Sequence, residues 1–226
     1  ARGYIKSMYE YDIAGALEDF EKAIELEPAY PTAHQWYGEI LAVVLRLDEA
    51  LEQIRIAKEL DPLATVIHHV EGWLLHHDGR FEDALESYNN VHKIDPYKAH
   101  TYGNLAMLYS MNGHYDLARQ SSTRFGEMLN FDPSPTLAMI DALENPELND
   151  RAIKLIQDSP IYIDGVSANC EKYMLMGEHE LTLTCLEHAF EVGDPYAIHL
   201  NRFGIYDPIR EDPRFQALLR KMNLIP

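Results

Sequence analysis

Apolar residues along this chain recur at three-, four- and seven-residue intervals, the spacing that places them on one face of a helix. The stretch 65–98 shows this most cleanly. Val66, Val70, Gly72, Trp73 and Leu75 mark a first helix, and the Asp78-Gly79 pair ends it, because glycine supplies the left-handed backbone that a helix end needs. A second helix restarts near Glu82 with Ala84, Leu85, Tyr88 and Val91 on one face. Asp95-Pro96 closes it, since proline cannot continue a helix and restricts the residue before it. Neither helix can bury its apolar stripe alone, so the pair needs neighbours.

A shift of 34 residues finds them: Gly38, Gly72 and Ala106 fall in register, as do Ala50, Ala84 and Ala118. Leu47, Phe81 and Tyr115 align, and so do Leu41, Leu75 and Tyr109, while Pro28, Pro62 and Pro96 punctuate the ends. A small residue on one helix facing Ala on the next lets two backbones approach closely. The register predicts helix pairs over about 1–30, 31–64, 65–98 and 99–132, a shortened degenerate pair over 133–162, and a sixth over 163–196. Ile140 stands where glycine would be, so the fifth pair is expected to splay or shift. Phe215, Leu218, Leu219 and Met222 share one face of DPRFQALLRKM, which makes 197–226 an amphipathic cap for the open end. No Gly/Ser linker interrupts the chain. The expectation is one all-α domain, a solenoid of about six helix pairs with a C-terminal capping helix.

Charge narrows the partners. Against 37 acidic side chains stand 19 basic ones, a net charge of −18. That balance disfavours direct nucleic-acid binding, which wants clustered Lys and Arg, and suits a solvated acidic outer face or a basic partner. No run of about 18 apolar residues is present to span a membrane. The only cysteines, Cys170 and Cys185, lie on opposite helices of one late unit. A disulfide is conceivable there but not signalled, and both are expected to fill small apolar slots. A reducing cytoplasmic compartment fits, with the periplasm open if a parent protein carries an upstream membrane anchor. Ala1 enters partway along a first helix, which implies a fragment of a longer protein or a processed chain.

Catalysis finds no support: there is no G-x-S-x-G elbow, no phosphate-cradling glycine loop and no His-Glu-x-x-His. No cofactor is implied. His68, His69, His76 and His77 invite a metal reading, but ligands eight residues apart on one helix stand about 12 Å apart. That is too far for shared zinc bonds of about 2 Å, so no metal is expected. The same clustering would suit a pH-sensing groove.

The 34-residue helix-turn-helix period with its small, aromatic, Ala and Pro positions resembles the tetratricopeptide repeat over most of the chain. MYEYDIAGALEDFEKAIELEPAYPTAHQWYGEIL and CLEHAFEVGDPYAIHLNRFGIYDPIREDPRFQALLRKMNL further resemble repeats in the carboxy-terminal half of bacterial multidomain regulators. In those proteins a winged-helix DNA-binding domain, a class III adenylate cyclase or a TolB-like region precedes the repeats. The resemblance implies a right-handed superhelix that serves as a non-enzymatic protein–protein interaction scaffold, with an output domain upstream. It also implies that the first helix of each pair lines a concave, partner-binding face. Carried over by position, that face holds Gln35, Glu39 and Ala42, then His69, Trp73, His76 and His77, then Asn104, Met107, Ser110 and Met111. An aromatic with Met and imidazoles suits a semi-apolar peptide. The family's carboxylate clamp is not present, since its positions hold Arg2, Thr32, Trp36, Val66 and Val70. Two rivals stay open: a homodimerisation module of the parent, and a small-ligand sensor controlling a fused N-terminal domain.

Overall fold

The computed structural model describes residues 1–159 and 166–225. Among the described residues the secondary structure is helical throughout, with no strand. The first four pairs are α1 (Arg2–Tyr9) with α2 (Ile13–Leu26), α3 (Pro31–Val43) with α4 (Leu47–Leu60), α5 (Thr65–His77) with α6 (Phe81–Ile94), and α7 (Ala99–Met111) with α8 (Tyr115–Leu129). Then come α9 (Ser134–Glu144) with α10 (Asn149–Asp158), α11 (Ser167–Leu175) with α12 (His179–Glu191), and a final α13 (Pro213–Lys221). Each pair packs as a helical hairpin, and the second helices of the first four pairs pack on the first helix of the next, whereas α11 meets α9. This is the expected all-α solenoid.

The register also explains the turns. The residue closing the first helix of each of the first four pairs is left-handed: Tyr11 (φ 51°), Leu45 (φ 63°), Gly79 (φ 76°) and Gly113 (φ 72°). Only the last two are glycines, so the first two pairs adopt the same turn against the preference of their side chains.

Helix contact is set by complementary size. A Cβ on Gly72 would lie 2.7 Å from the Tyr88 ring, and one on Gly38 would lie 2.9 Å from the Ala50 carbonyl oxygen. So Gly72 makes room for Tyr88 rather than simply facing Ala84, a sharpening of the small-on-small expectation. Ala50, Ala84 and Ala118 are all fully buried. In the fifth pair Ile140 is buried beside Met139 and Ile156, and close approach passes to Ala138, Ala142 and Ala152. The pair shifts its contact by half a turn, with Asn145 accepting from the Glu147 N–H (3.2 Å) at the tight link.

Two expectations are corrected here. Cys170 and Cys185 do not stand apart in apolar slots but form a disulfide across the α11–α12 hairpin, with Cα atoms 5.4 Å apart. Nor does 197–226 simply cap the end. Its later part does, since Phe215, Leu218, Leu219 and Met222 bury against Leu183, Leu186 and Ala189. Before it come two 3-10 segments: Pro195–Arg202 turns inward and packs on α1 and α3, and Gly204–Ile209 packs on α11. There Asn201 Nδ2 reaches the Val43 carbonyl (3.5 Å), and near the chain end Asn223 Nδ2 donates to the Tyr11 carbonyl (3.2 Å). The Tyr11 ring stacks on Phe190 of α12 with centroids 5.7 Å apart, so the last pair meets the first. The inward segment, 195–209, acts as a strap across the face made by the first helices.

Candidate functional site

Beneath the strap a cavity of about 340 Å3 remains. Its wall is built from first helices: Tyr4 and Met8 of α1, Glu39 of α3, His69, Trp73, His76 and His77 of α5, and Asn104 and Met107 of α7. Helical spacing puts His69, Trp73 and the His76-His77 pair on one face of α5. Phe125 of α8 and Ser167 and Glu171 of α11 complete the repeat side, and His199 and Phe203 of the strap form the remaining wall. Four expected residues are not in the wall, Ala42 and Met111 among them. Gln35 is buried behind it, donating to Glu39 Oε1 (2.8 Å), and Ser110 is buried with its Oγ donating to the Ala106 carbonyl (2.7 Å).

The strap engages the residues expected to meet a partner. The Arg202 guanidinium lies 3.8 Å over the Trp73 ring, and His199 meets that ring edge-on at 4.6 Å. Phe203 stacks on His77 at 3.6 Å, and His77 stacks on His76 at 4.7 Å. The concave face around α5 is thus lined by the chain's own C-terminal segment. Asn104 Nδ2 donates to His69 Nε2 (3.2 Å), and His76 Nε2 approaches Met111 Sδ at 3.1 Å.

Burial governs the electrostatics. It holds the His69 and His76 imidazoles down at about 4, with His100 and Lys98 assisting at His69 and Arg202 at His76. His77 and His199 are pushed well below the ordinary histidine value for the same reason. These rings stay neutral near pH 7, which corrects the pH-sensing groove. Burial raises the Glu39 carboxyl, opposed by the Gln35 hydrogen bond and Arg202. Arg202 itself is lowered to about 9 by burial, against the pull of Glu39, Tyr88 and Glu171, and its Nε and Nη2 find no acceptor among the described residues. The result is an aromatic, imidazole-rich chamber with opposed charges at its margin. Among the described residues no three His, Cys, Asp or Glu side chains converge to hold a metal ion. No described helix is long and apolar enough to cross a membrane.

The strap residues His199, Arg202 and Phe203 carried little signal in the sequence, because 3-10 segments lack a 3.6-residue apolar period. The one available cue was composition: Ala197, Ile198, Leu200 and Phe203 are too apolar for an exposed connection, and all are buried.

Neither protein-family models nor curated proteins give a match to the chain. Solved structures do. A tetratricopeptide repeat protein from Parabacteroides merdae is 20% identical, with 99% of this chain and 93% of that one covered and a TM-score of 0.54. PilW, a type IV pilus biogenesis factor, is 15% identical over 96% of this chain and 94% of its own, with a TM-score of 0.55. YrrB, described as a tetratricopeptide protein with an unusual peptide-binding site, is 19% identical over 82% and 97%, with a TM-score of 0.50. Likeness at such identities speaks for architecture alone: the chain has the fold of the tetratricopeptide repeat solenoids.

Proposed function

We propose that the chain is a non-enzymatic docking module that takes a short, semi-apolar segment of a partner protein into the cavity under the strap. The observation that carries this reading is the wall itself. First helices of successive pairs converge on one chamber with rigid aromatic anchors (Trp73, Phe125), an adaptable Met107 and the polar Asn104 and Glu39. The peptide-binding description of YrrB supports the same use of the fold. Peptides selected by display against the full chain test it. Asn104→Trp, which fills the chamber from α7, should abolish their binding without lowering the thermal midpoint by more than a few degrees. Selected peptides that bind the variant equally well would reject the cavity as the site.

The strap favours a second reading, a small-ligand sensor, because about 340 Å3 lies within the range of small-molecule pockets. Native mass spectrometry that finds only the bare chain after mild purification would count against it. Homodimerisation of the parent is distinguished by sedimentation: a monomer at tens of micromolar rules it out. The resemblance to regulator-borne repeats supports a place within a larger bacterial regulator. The disulfide supports an oxidising compartment, such as the periplasm, over the cytoplasm.

A further inference from the structure

A second surface lies on the outside, along the edge formed by the links between repeats. Each of the first three pairs closes with an apolar residue, an acid and a proline: Leu26-Glu27-Pro28, Leu60-Asp61-Pro62 and Ile94-Asp95-Pro96. The side chains beside these triplets are unusually open for their type. Leu26 is 73% exposed, Leu63 72% and Tyr97 79%. Singly exposed apolar residues are ordinary. These are not scattered, because Leu63 and Tyr97 occupy the same position one repeat apart, as do Leu26 and Leu60. Repetition of structure therefore sets the two members of each pair at equivalent points of neighbouring links, the two positions lying three residues apart in the repeat.

The row has a pitch and a charge. First helices of successive pairs neighbour one another, so equivalent positions recur at about one helix spacing, ~10 Å. Seven residues of an α-helix rise about the same distance. Apolar residues spaced by a heptad on a docking helix would thus meet one exposed spot per repeat. Bases near the first two links are committed elsewhere, Lys22 to Glu25, Arg55 to Glu52 and Glu59, and Lys58 to Glu71, while at the third link Lys93 donates to Asn90 and Lys98 adjoins Tyr97. Glu27, Asp61 and Asp95 are left to set a negative potential along the row, within a chain of net charge −18.

We infer that this edge docks a basic amphipathic helix of a partner protein, apolar face on the row and Lys or Arg toward the acids. The site is separate from the cavity and does not rest on it. The test uses the full chain and two labelled peptides of about 21 residues, three heptads of helix. One carries Leu on one face and Lys elsewhere, and the other carries Glu in place of Lys. Fluorescence anisotropy should show binding of the Lys peptide alone, weakened by salt. The doubly substituted Leu63→Ser, Tyr97→Ser chain should bind about tenfold or more weakly at an unchanged thermal midpoint, whereas Asn104→Trp should bind like the parent. The inference is overturned if the Lys peptide does not bind or if the Glu peptide binds as well. Equal affinity for the serine variant overturns it too, because attraction would then be general charge alone. So does a wild-type dimer in sedimentation that the serine variant loses, since a second copy would then be the occupant.

Discussion

Leu45 shows how one residue can carry a cost that its repeat neighbours avoid. Its φ of 63° is the conformation that glycine supplies at Gly79 and Gly113, and a non-glycine residue there costs roughly 1–2 kcal/mol. The side chain is 60% exposed, so little burial offsets that cost. Leu45→Gly should therefore stabilise the chain by about 1 kcal/mol, read as a higher urea midpoint at unchanged slope. The opposite extreme is Ala84, which has no exposed surface and sits where two helices nearly touch. Ala84→Glu should cost more than ~3 kcal/mol and unfold the middle of the array; an unshifted melting curve would refute the helix register. The imidazoles add a pH dependence. The unfolded chain titrates His76 near 6.5, whereas burial holds it near 4 in the fold, so between those values the unfolded state binds more protons. Stability is full above about pH 6.5 and falls on acidification, by about 1.4 kcal/mol per pH unit for each such ring. The raised Glu39 works in the other direction, a single group against several imidazoles. His76→Gln should shallow the fall in midpoint between pH 6.5 and 4.5. At this scale Gly79 was legible because its type announces its backbone, and Leu45 was not because its type argues against it.

Helices were the most legible elements. The apolar period and the Pro28, Pro62 and Pro96 stops delimit α2 through α7 closely, because α2, α4 and α6 each have one buried stripe and one solvated face and the nearly all-buried α3, α5 and α7 lie between their stops. The strap had no such period to read. The disulfide was equally hidden, since Cys170 and Cys185 differ by 15 residues across a turn whose geometry only the packed hairpin fixes. A loop of that length gives the crosslink a stabilising effect of about 3 kcal/mol. Reductant should lower the urea midpoint accordingly, and the paired variant Cys170→Ala, Cys185→Ala should be equally weakened and deaf to reductant. Of the candidate site, the α5 residues and Asn104 and Met107 were found because repeat position alone aims them inward. Arg202 and Phe203 were missed because their position depends on where the chain end folds back.

The molecule as a whole is held by contacts that repeat arithmetic does not contain. Phe203 is 3% exposed, stacked on a helix more than one hundred residues away in sequence. Phe203→Ala should cost about 3–5 kcal/mol, as a core aromatic does, and should destabilise the early pairs along with the late ones in hydrogen exchange. Loss confined to residues beyond α11 would show the strap to be a local appendage.

That long-range tie has a further consequence. An open row of repeats behaves as a string whose two ends fray first, and units can be added or removed there at modest cost. Here a hydrogen bond joins residues 212 positions apart, and an aromatic pair beside it joins α12 to the first turn. The string is fastened into a loop, and a loop has no end at which to begin unravelling. Melting should be a single step rather than a progressive peeling, and folding should be slow for an all-helical chain because the clasp closes last. The same clasp fixes the number of units, since inserting or deleting one repeat would leave the two halves unable to meet.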